Sequence, residues 1–326
     1  MEKVLIIGNE DRYLKYMPDD LEITNKVELI FVDRGSTPEQ ILEKGRDATY
    51  VANDAMGVFP SEVINNMPNL KIIHSEGVGY NFIDLQAAKE KGVYVCNSKG
   101  MNDKAVAEQA IMLMIGCLRN VINYDQDVRE GHQITTKERA MAEGILELGD
   151  CKIGLIGFGD IAKEVARKLI PFDTEVYYTD LYRASKEIEE KYHVTYLSQE
   201  ELIQTCDFIS LHVPVTPSTK KMVNQELIQK MKDHSYIINT ARGDLVDNDA
   251  LLEAINNGKL AGAGLDTVDP EPVPGDLPLL KSDRIIFSPH IAGITTSSFK
   301  RSHYLIWESF EDVNKGKRPK YIVNGL

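Results

Sequence analysis

Cysteine is scarce in this chain of 326 residues, and none of it is paired. Cys96, Cys117, Cys151 and Cys206 are scattered, with no CxxC spacing and no histidines grouped beside them. That pattern argues against a zinc frame or a disulfide scaffold and predicts reduced thiols, a cytoplasmic protein and no metal site. Excess basic charge is also lacking. The formal net charge is -13, and a field of that sign repels phosphate backbones and anionic lipid, so neither nucleic acid nor a membrane is expected as a partner. Long apolar runs are missing too. The longest, Ala110 to Leu118, falls far short of the roughly 20 residues a membrane span needs. The opening MEKVLIIGNEDR reads as a first buried strand running into polar residues rather than as a signal peptide. Repeats and low-complexity segments are absent.

What is present is a β/α alternation. Hydrophobic residues make up 43% of a chain long enough for two ordinary domains. Val4–Ile7, Val27–Val32, Ala48–Val51, Leu70–His74 and Val93–Cys96 read as strands, with helices expected over Pro38–Lys44, Ser61–Asn66 and Ile83–Lys91. Strands alternating with helices imply parallel strands covered by those helices. Five of them fit a flavodoxin-like doubly wound unit. One long helix is expected from Asp103 to Arg129, capped by Asn102. A second series then offers strands at Lys152–Ile156, Glu175–Thr179, Phe208–His212, Tyr236–Asn239, Gly262–Leu265 and Arg284–Phe287, the six of a dinucleotide-binding sheet. Ser198 and Glu201 form a capping box, Asn257-Gly258 a helix stop, and a last helix spans Thr296 to Asn314 before a short tail that returns to the first domain. The expected fold is therefore α/β, with two doubly wound parallel-sheet domains: a flavodoxin-like substrate domain (residues 1–101 plus 297–326) and a Rossmann dinucleotide-binding domain (102–296).

The strongest local signal is Gly157-Phe-Gly159-Asp-Ile-Ala162 after the strand at Lys152–Ile156. Gly157 permits a tight turn, Gly159 lets backbone approach a pyrophosphate, and Ala162 is small enough for close strand–helix packing. The helix that follows offers free N–H groups to an anion. Asp180 ends the next strand, about 20 residues on, where a carboxylate would accept hydrogen bonds from ribose hydroxyls. Its charge would repel a 2′-phosphate, which favours NAD over NADP, although Arg183 nearby could soften that repulsion. Three further residues follow strand ends: Arg242, Glu271 and His290. A guanidinium suits a carboxylate ligand because its planar fork gives two parallel charge-assisted bonds. An imidazolium can donate a proton near neutral pH, and a neighbouring carboxylate would orient the ring and hold that proton on it.

Over nearly its whole length the chain resembles the D-isomer-specific 2-hydroxyacid dehydrogenase family. The resemblance rests on Gly77-Val-Gly79-Tyr-Asn-Phe-Ile-Asp84, Val106-Ala-Glu108, Gly154 to Gly159, Leu211-His-Val-Pro214 through Thr219, Ile238-Asn-Thr-Ala-Arg242-Gly243, Leu265-Asp266 with Glu271-Pro272, and Pro289-His290-Ile-Ala-Gly293. It implies a catalytic Arg242, Glu271 and His290 acting on a small 2-oxo or D-2-hydroxy acid, with NAD as cofactor. The substrate would be bound by Arg242, His290 and the backbone of Val78 and Gly79. Cofactor contacts would come from Gly157, Gly159, Asp160, Ile161, Asp180, Val213, Pro214, Thr219, Thr240, Ala241, Arg242 and Asp266. The helix after Asn102 would help form a homodimer. Three residues depart from the family pattern, Asp160 after the second fingerprint glycine, His132, and Glu76 beside the substrate loop; they bear on affinity and substrate choice. Two other activities share such a scaffold: an NAD-sensing binding protein like the transcriptional corepressors, and a formate-type dehydrogenase. The second would leave no alkoxide for a Glu271–His290 pair to protonate.

Overall fold

A computed structural model describes residues 1–326 as two compact units, Met1–Asn102 with Ile294–Leu326, and Asp103–Gly293. The first holds five parallel strands, β1 (Glu2–Ile7), β2 (Val27–Val32), β3 (Tyr50–Asn53), β4 (Ile72–Ser75) and β5 (Tyr94–Asn97), in the order β2-β1-β3-β4-β5. That is the flavodoxin-like order, in which loops leaving the carboxyl ends of the strands gather on one edge. β3 and β4 begin two residues later than the apolar runs suggest. Ala48 N–H is bound by Gly45 O and Leu70 N–H by Met67 O, so both residues finish the preceding turn. The Glu10–Tyr16 helix was not anticipated. Asn9 caps it through Arg12 N–H (2.8 Å), with Glu10 and Asp11 in its first turn, an arrangement that suits the helix dipole.

The Thr296–Asn314 helix belongs to this unit and lays Ile306, Trp307 and Phe310 against Val4, Ile6, Tyr50 and Ile72. Burying each such side chain contributes about 1.5–3 kcal/mol. The tail then runs antiparallel to β5. Val323 N–H donates to Val95 O (2.8 Å), and the Asn324 side chain accepts from Val95 N–H and donates to Val93 O.

The second unit contains β6 (Lys152–Ile156), β7 (Glu175–Thr179), β8 (Val194–Tyr196), β9 (Phe208–Leu211), β10 (Ser235–Asn239), β11 (Leu260–Leu265) and β12 (Ile285–Phe287). All are parallel, in the order β12-β11-β10-β9-β6-β7-β8. The strand order reverses between β6 and β9, where such sheets bind ligands. The sheet has seven strands rather than six. β8 is three residues long and begins after His193, whose left-handed backbone (φ 53°) ends a helix. The long helix expected after Asn102 is two helices, Asp103–Leu118 and Val121–Arg129, bent by 57°. Asn120, at φ 47°, makes the break. Asn102 does not cap the first of them, because its Oδ1 is buried without a hydrogen-bond partner. A further helix, Gln133–Glu143, follows directly after His132. No single helix is long and apolar enough to cross a membrane.

Candidate active site

The turn after β6 is built on Gly157. Its φ is +89°, and a Cβ there would lie 2.5 Å from His212 O and 2.8 Å from Val213 Cγ1. Only glycine fits both the backbone and the space. This contact presses the fingerprint turn onto the loop after β9, which carries Val213, Pro214 and Thr219. Gly159, by contrast, caps the Asp160–Leu169 helix with open space where a Cβ would be. A ligand can therefore approach this backbone closely, at the positive end of a ten-residue helix. Asp160 and Ile161 form the first turn, and Ala162 is fully buried.

Asp180 accepts from Phe158 N–H (2.7 Å) and Tyr182 N–H (3.2 Å), which ties the end of β7 to the fingerprint turn. Arg183 does not turn toward Asp180. Its guanidinium donates to both oxygens of Glu189 (2.9 and 3.0 Å) and lies 5.2 Å from the Tyr196 ring centre. The softening of Asp180 by Arg183 is thus not what the geometry shows. The Thr219 hydroxyl is also engaged locally, donating to Pro214 O and accepting from Thr216 N–H (both 2.7 Å). Beneath this loop the His212 ring is pushed down to about 4 by desolvation and bonds Ser210 (2.9 Å).

Arg242 leaves the end of β10 on a braced turn. The Asn239 side chain donates to Arg242 O (2.8 Å) and accepts from Ala241 N–H (3.0 Å). Gly243 then packs so closely that a Cβ would lie 2.3 Å from Asp269 N, and Asn248 Nδ2 donates to Asp269 O (2.6 Å). These two contacts set the Arg242 turn against the loop that carries Glu271. The Arg242 guanidinium is exposed, with Nη1 donating to Ala241 O (2.7 Å). Thr240 Oγ1 beside it is buried and has no partner in the protein, a polar atom that a bound cofactor would satisfy.

Glu271 and His290 meet. His290 Nδ1 lies 2.9 Å from both Oε1 and Oε2 of Glu271, which leaves Nε2 as the nitrogen able to serve a ligand. His290 sits in the left-handed region, φ +54°. Its backbone is held by donation to Asp266 O (2.8 Å) and Ser288 O (3.0 Å). Asp266 is 2% exposed. Its carboxylate accepts from Ile291 N–H (3.1 Å), Ala292 N–H (2.8 Å) and the Ser288 hydroxyl, and Gln109 donates to Ser288 Oγ in turn (2.9 Å). Asp266 is therefore placed as the anchor of the His290 turn. Ser288 and Gln109 were not singled out from sequence, and Asn239 and Gly243 entered only as members of the Ile238–Gly243 stretch, without a role. An Asn directly after an apolar strand was the one readable signal, since Asn favours such self-bonded turns.

In the first unit, the loop after β4 has three successive carbonyls engaged. Gly77 O accepts from Ser98 N–H (2.9 Å), Val78 O from Asn97 Nδ2 (2.7 Å) and Gly79 O from Ser75 Oγ (2.6 Å). The Val78 and Gly79 amides donate to nothing in the chain.

A family model described as D-isomer specific 2-hydroxyacid dehydrogenase, NAD binding domain, matches residues 111–292. The chain is similar to the glyoxylate reductase of Thermofilum pendens, with 34% identity across 88% of this chain and 84% of the relative. It is similar to the hydroxypyruvate reductase of Thermotoga maritima, with 34% identity across 89% and 94%. Among solved structures it resembles the NAD-complexed D-isomer specific 2-hydroxyacid dehydrogenase of Lactobacillus delbrueckii ssp. bulgaricus, at 26% identity and a TM-score of 0.84 over 98% of this chain and 99% of that one.

Proposed function

Because the chain belongs to the D-isomer specific 2-hydroxyacid dehydrogenase family, we propose that it interconverts a small 2-oxo acid and a D-2-hydroxy acid with NAD, using Arg242, Glu271 and His290. In this reading a 2-oxo acid, NADH and one proton give the D-2-hydroxy acid and NAD. The observation that carries it is the Glu271–His290 pair, which leaves an oriented imidazole nitrogen free on the same braced edge as Arg242.

NADH, when bound, supplies the hydride that adds to C2. Its pyrophosphate suits the open backbone at Gly159 through Ile161, its ribose suits Asp180, and its remaining contacts are assigned to Val213, Pro214, Thr219, Thr240 and Ala241. Asp266 is assigned to positioning, since its oxygens already hold the His290 turn. The tie between Arg183 and Glu189 supports NAD over NADP, because that guanidinium is already paired with a carboxylate and leaves the charge of Asp180 to repel a 2′-phosphate. Arg242 clamps the substrate carboxylate with its planar fork and polarises the C2 carbonyl. His290 Nε2 gives its proton to the C2 oxygen as negative charge develops there, while Glu271 holds Nδ1 and fixes the ring. The Val78 and Gly79 amides are assigned to the carboxylate as well. The first unit is read as the substrate domain and the second as the NAD domain.

Two finer readings go with this one. A homodimer is supported by the apolar side chains that the Val121–Arg129 and Gln133–Glu143 helices leave exposed, among them Ile122, Val128, Ile134 and Met141; light scattering would report twice the chain mass. Four free thiols suit the cytoplasm. The decisive experiment for the function is NADH consumption with a panel of 2-oxo acids and chiral analysis of the product. Tight NADH binding without turnover would instead favour an NAD sensor, and NAD reduction by formate alone would favour a formate dehydrogenase.

A further inference from the structure

The backbone of the Gly77–Gly79 loop is fixed through its carbonyls. Gly77 O accepts from Ser98 N–H (2.9 Å), and Val78 O accepts from the Asn97 side chain (2.7 Å). The two donors belong to adjacent residues at the end of β5, so both carbonyls turn toward one segment. A trans peptide is planar, and its N–H points opposite to its C=O. The 77–78 and 78–79 peptides therefore turn the N–H groups of Val78 and Gly79 together away from β5, and neither donates to any group in the chain. Successive amides on one side form a concavity suited to an anion.

The two peptides are not held alike. The first is held by the backbone of residue 98, which any side chain but proline would leave in place. The second depends on one side chain. Asn97 is buried and ends β5 opposite Ser75. Its own N–H donates to Tyr321 O in the C-terminal tail (3.3 Å), which pins the strand end that carries it. Buried serines complete the frame. Ser75 Oγ donates to Gly79 O (2.6 Å), Ser98 Oγ to Ser75 O (3.1 Å), and the Ser302 hydroxyl to Glu76 O. Glu76 N–H donates to Asn53 O (2.8 Å). The loop is thus set before any ligand arrives.

We propose that Asn97 is a positioning residue for substrate binding: by holding Val78 O, it aims the Gly79 amide at the carboxylate that all 2-oxo acids share. The inference rests on the assignment of the Val78 and Gly79 amides to that carboxylate. Asn97 touches no substrate itself. It removes the need to rotate a peptide when the anion binds, which is what preorganisation contributes. The position calls for a donor. A carboxylate there would set two acceptors face to face and draw the Gly79 N–H toward itself, out of the site.

The test measures kcat and KM for glyoxylate, pyruvate and hydroxypyruvate at saturating NADH. Asn97→Asp keeps the shape and replaces the donor by an acceptor. A hydrogen bond to a charged group is worth about tenfold to 100-fold in affinity, so KM should rise by that factor with kcat little changed, the pattern of lost uniform binding. The factor should be the same for each acid that the unaltered enzyme reduces, because the carboxylate is common to them. Asn97→Leu removes the donor without adding charge and should raise KM by about three- to tenfold. NADH affinity, read by fluorescence, should hold in both variants. Asn324→Ala is the structural control. Asn324 is also buried and braces β5, but through Val93 and Val95; its loss should lower the urea midpoint and leave KM alone. Should Asn97→Asp fail to fold, Asn97→Leu carries the test. An unchanged KM in the Asn97 variants, a factor that differs between acids, or an equal rise in Asn324→Ala would overturn the inference and leave the dehydrogenase function standing. If the unaltered enzyme reduces no 2-oxo acid, that function falls and the inference with it.

Discussion

The chain carries two sets of arginine, glutamate and histidine, one in each unit: Arg242, Glu271 and His290, and Arg12, Glu76 and His303. In both, the imidazole stands 2.9 Å from the carboxylate. Their surroundings differ. His290 and Glu271 are 36% and 49% exposed, and Arg242 bonds only its neighbour's carbonyl. His303 and Glu76 are 0% and 8% exposed, and one Arg12 nitrogen is shared by two carboxylates. Residue types at the carboxyl edge of a parallel sheet do not define a reactive site. What separates the sets is whether the hydrogen-bonding capacity that remains once the fold is satisfied faces solvent. The exposed set keeps an imidazole nitrogen and a guanidinium fork open to solvent, while the spare atoms of the other set, Arg12 Nε and His303 Nδ1, are enclosed by the fold.

The sharpest way to break this comparison is His290→Ala. General acid catalysis is typically worth about 10²–10⁴, so kcat for reduction should fall by roughly 10²-fold or more while NADH still binds and the urea midpoint barely moves. Near-normal kcat would remove His290 from the mechanism and erase the distinction between the two sets.

The next effect concerns imidazoles in the core. His74 is fully buried, and desolvation pushes it down to about 4 from 6.5. Its Nδ1 bonds Ser75 O, and its Nε2 has no partner to accept an added proton. Below pH 6.5 the unfolded chain therefore takes up a proton that the folded chain refuses until about pH 4. Stability should fall with pH across that window, by at most about 3 kcal/mol for this residue. Urea midpoints from pH 7 to pH 4 would show the slope, and His74→Leu should flatten part of it. A slope identical in the variant would place the effect elsewhere.

Smaller still is Arg242→Lys. An ammonium cannot make the bidentate fork, so kcat/KM for the oxo acid should drop roughly tenfold or more, with NADH affinity little changed. Equal losses for both ligands would make Arg242 a cofactor residue. The smallest effect is expected at Asp160, exposed at the start of the fingerprint helix. Its carboxylate offsets the helix dipole by roughly 0.3–1 kcal/mol and competes with the bound pyrophosphate for the same end. Asp160→Arg should tighten NADH a few-fold at low ionic strength, and the gain should shrink with added salt. Fluorescence titrations showing equal affinities at low salt would show that this charge does not act on the cofactor.

Much of this was readable in the residues because it is local. The glycine turn, the helix behind it, the capping box at Ser198 and the full Thr296–Asn314 helix are each written within a few neighbouring positions. The elements missed have weak or ambiguous local signals. β8 is only three residues long, and the break at Asn120 depends on one residue adopting a left-handed backbone inside a helical pattern. The Glu10–Tyr16 helix did carry a cap and an acidic first turn, but they read as the polar end of a strand. The buried charged network was invisible for a different reason. Glu76 lies 64 positions from Arg12 and 227 from His303, and nothing along the chain links them. Asp266 shows the same limit, since its bonds to Ile291 and Ala292 span 25 and 26 positions.

The left-handed backbone at His290 has a consequence for anyone who randomises that position. With φ at +54°, the residues that fold most comfortably are Gly, Asn and Asp, and β-branched side chains are the worst tolerated. A library selected for expression or heat resistance would therefore be enriched in replacements that have lost the proton donor. A library selected for turnover would return to histidine despite its backbone cost. Folding and chemistry pull this one codon in opposite directions.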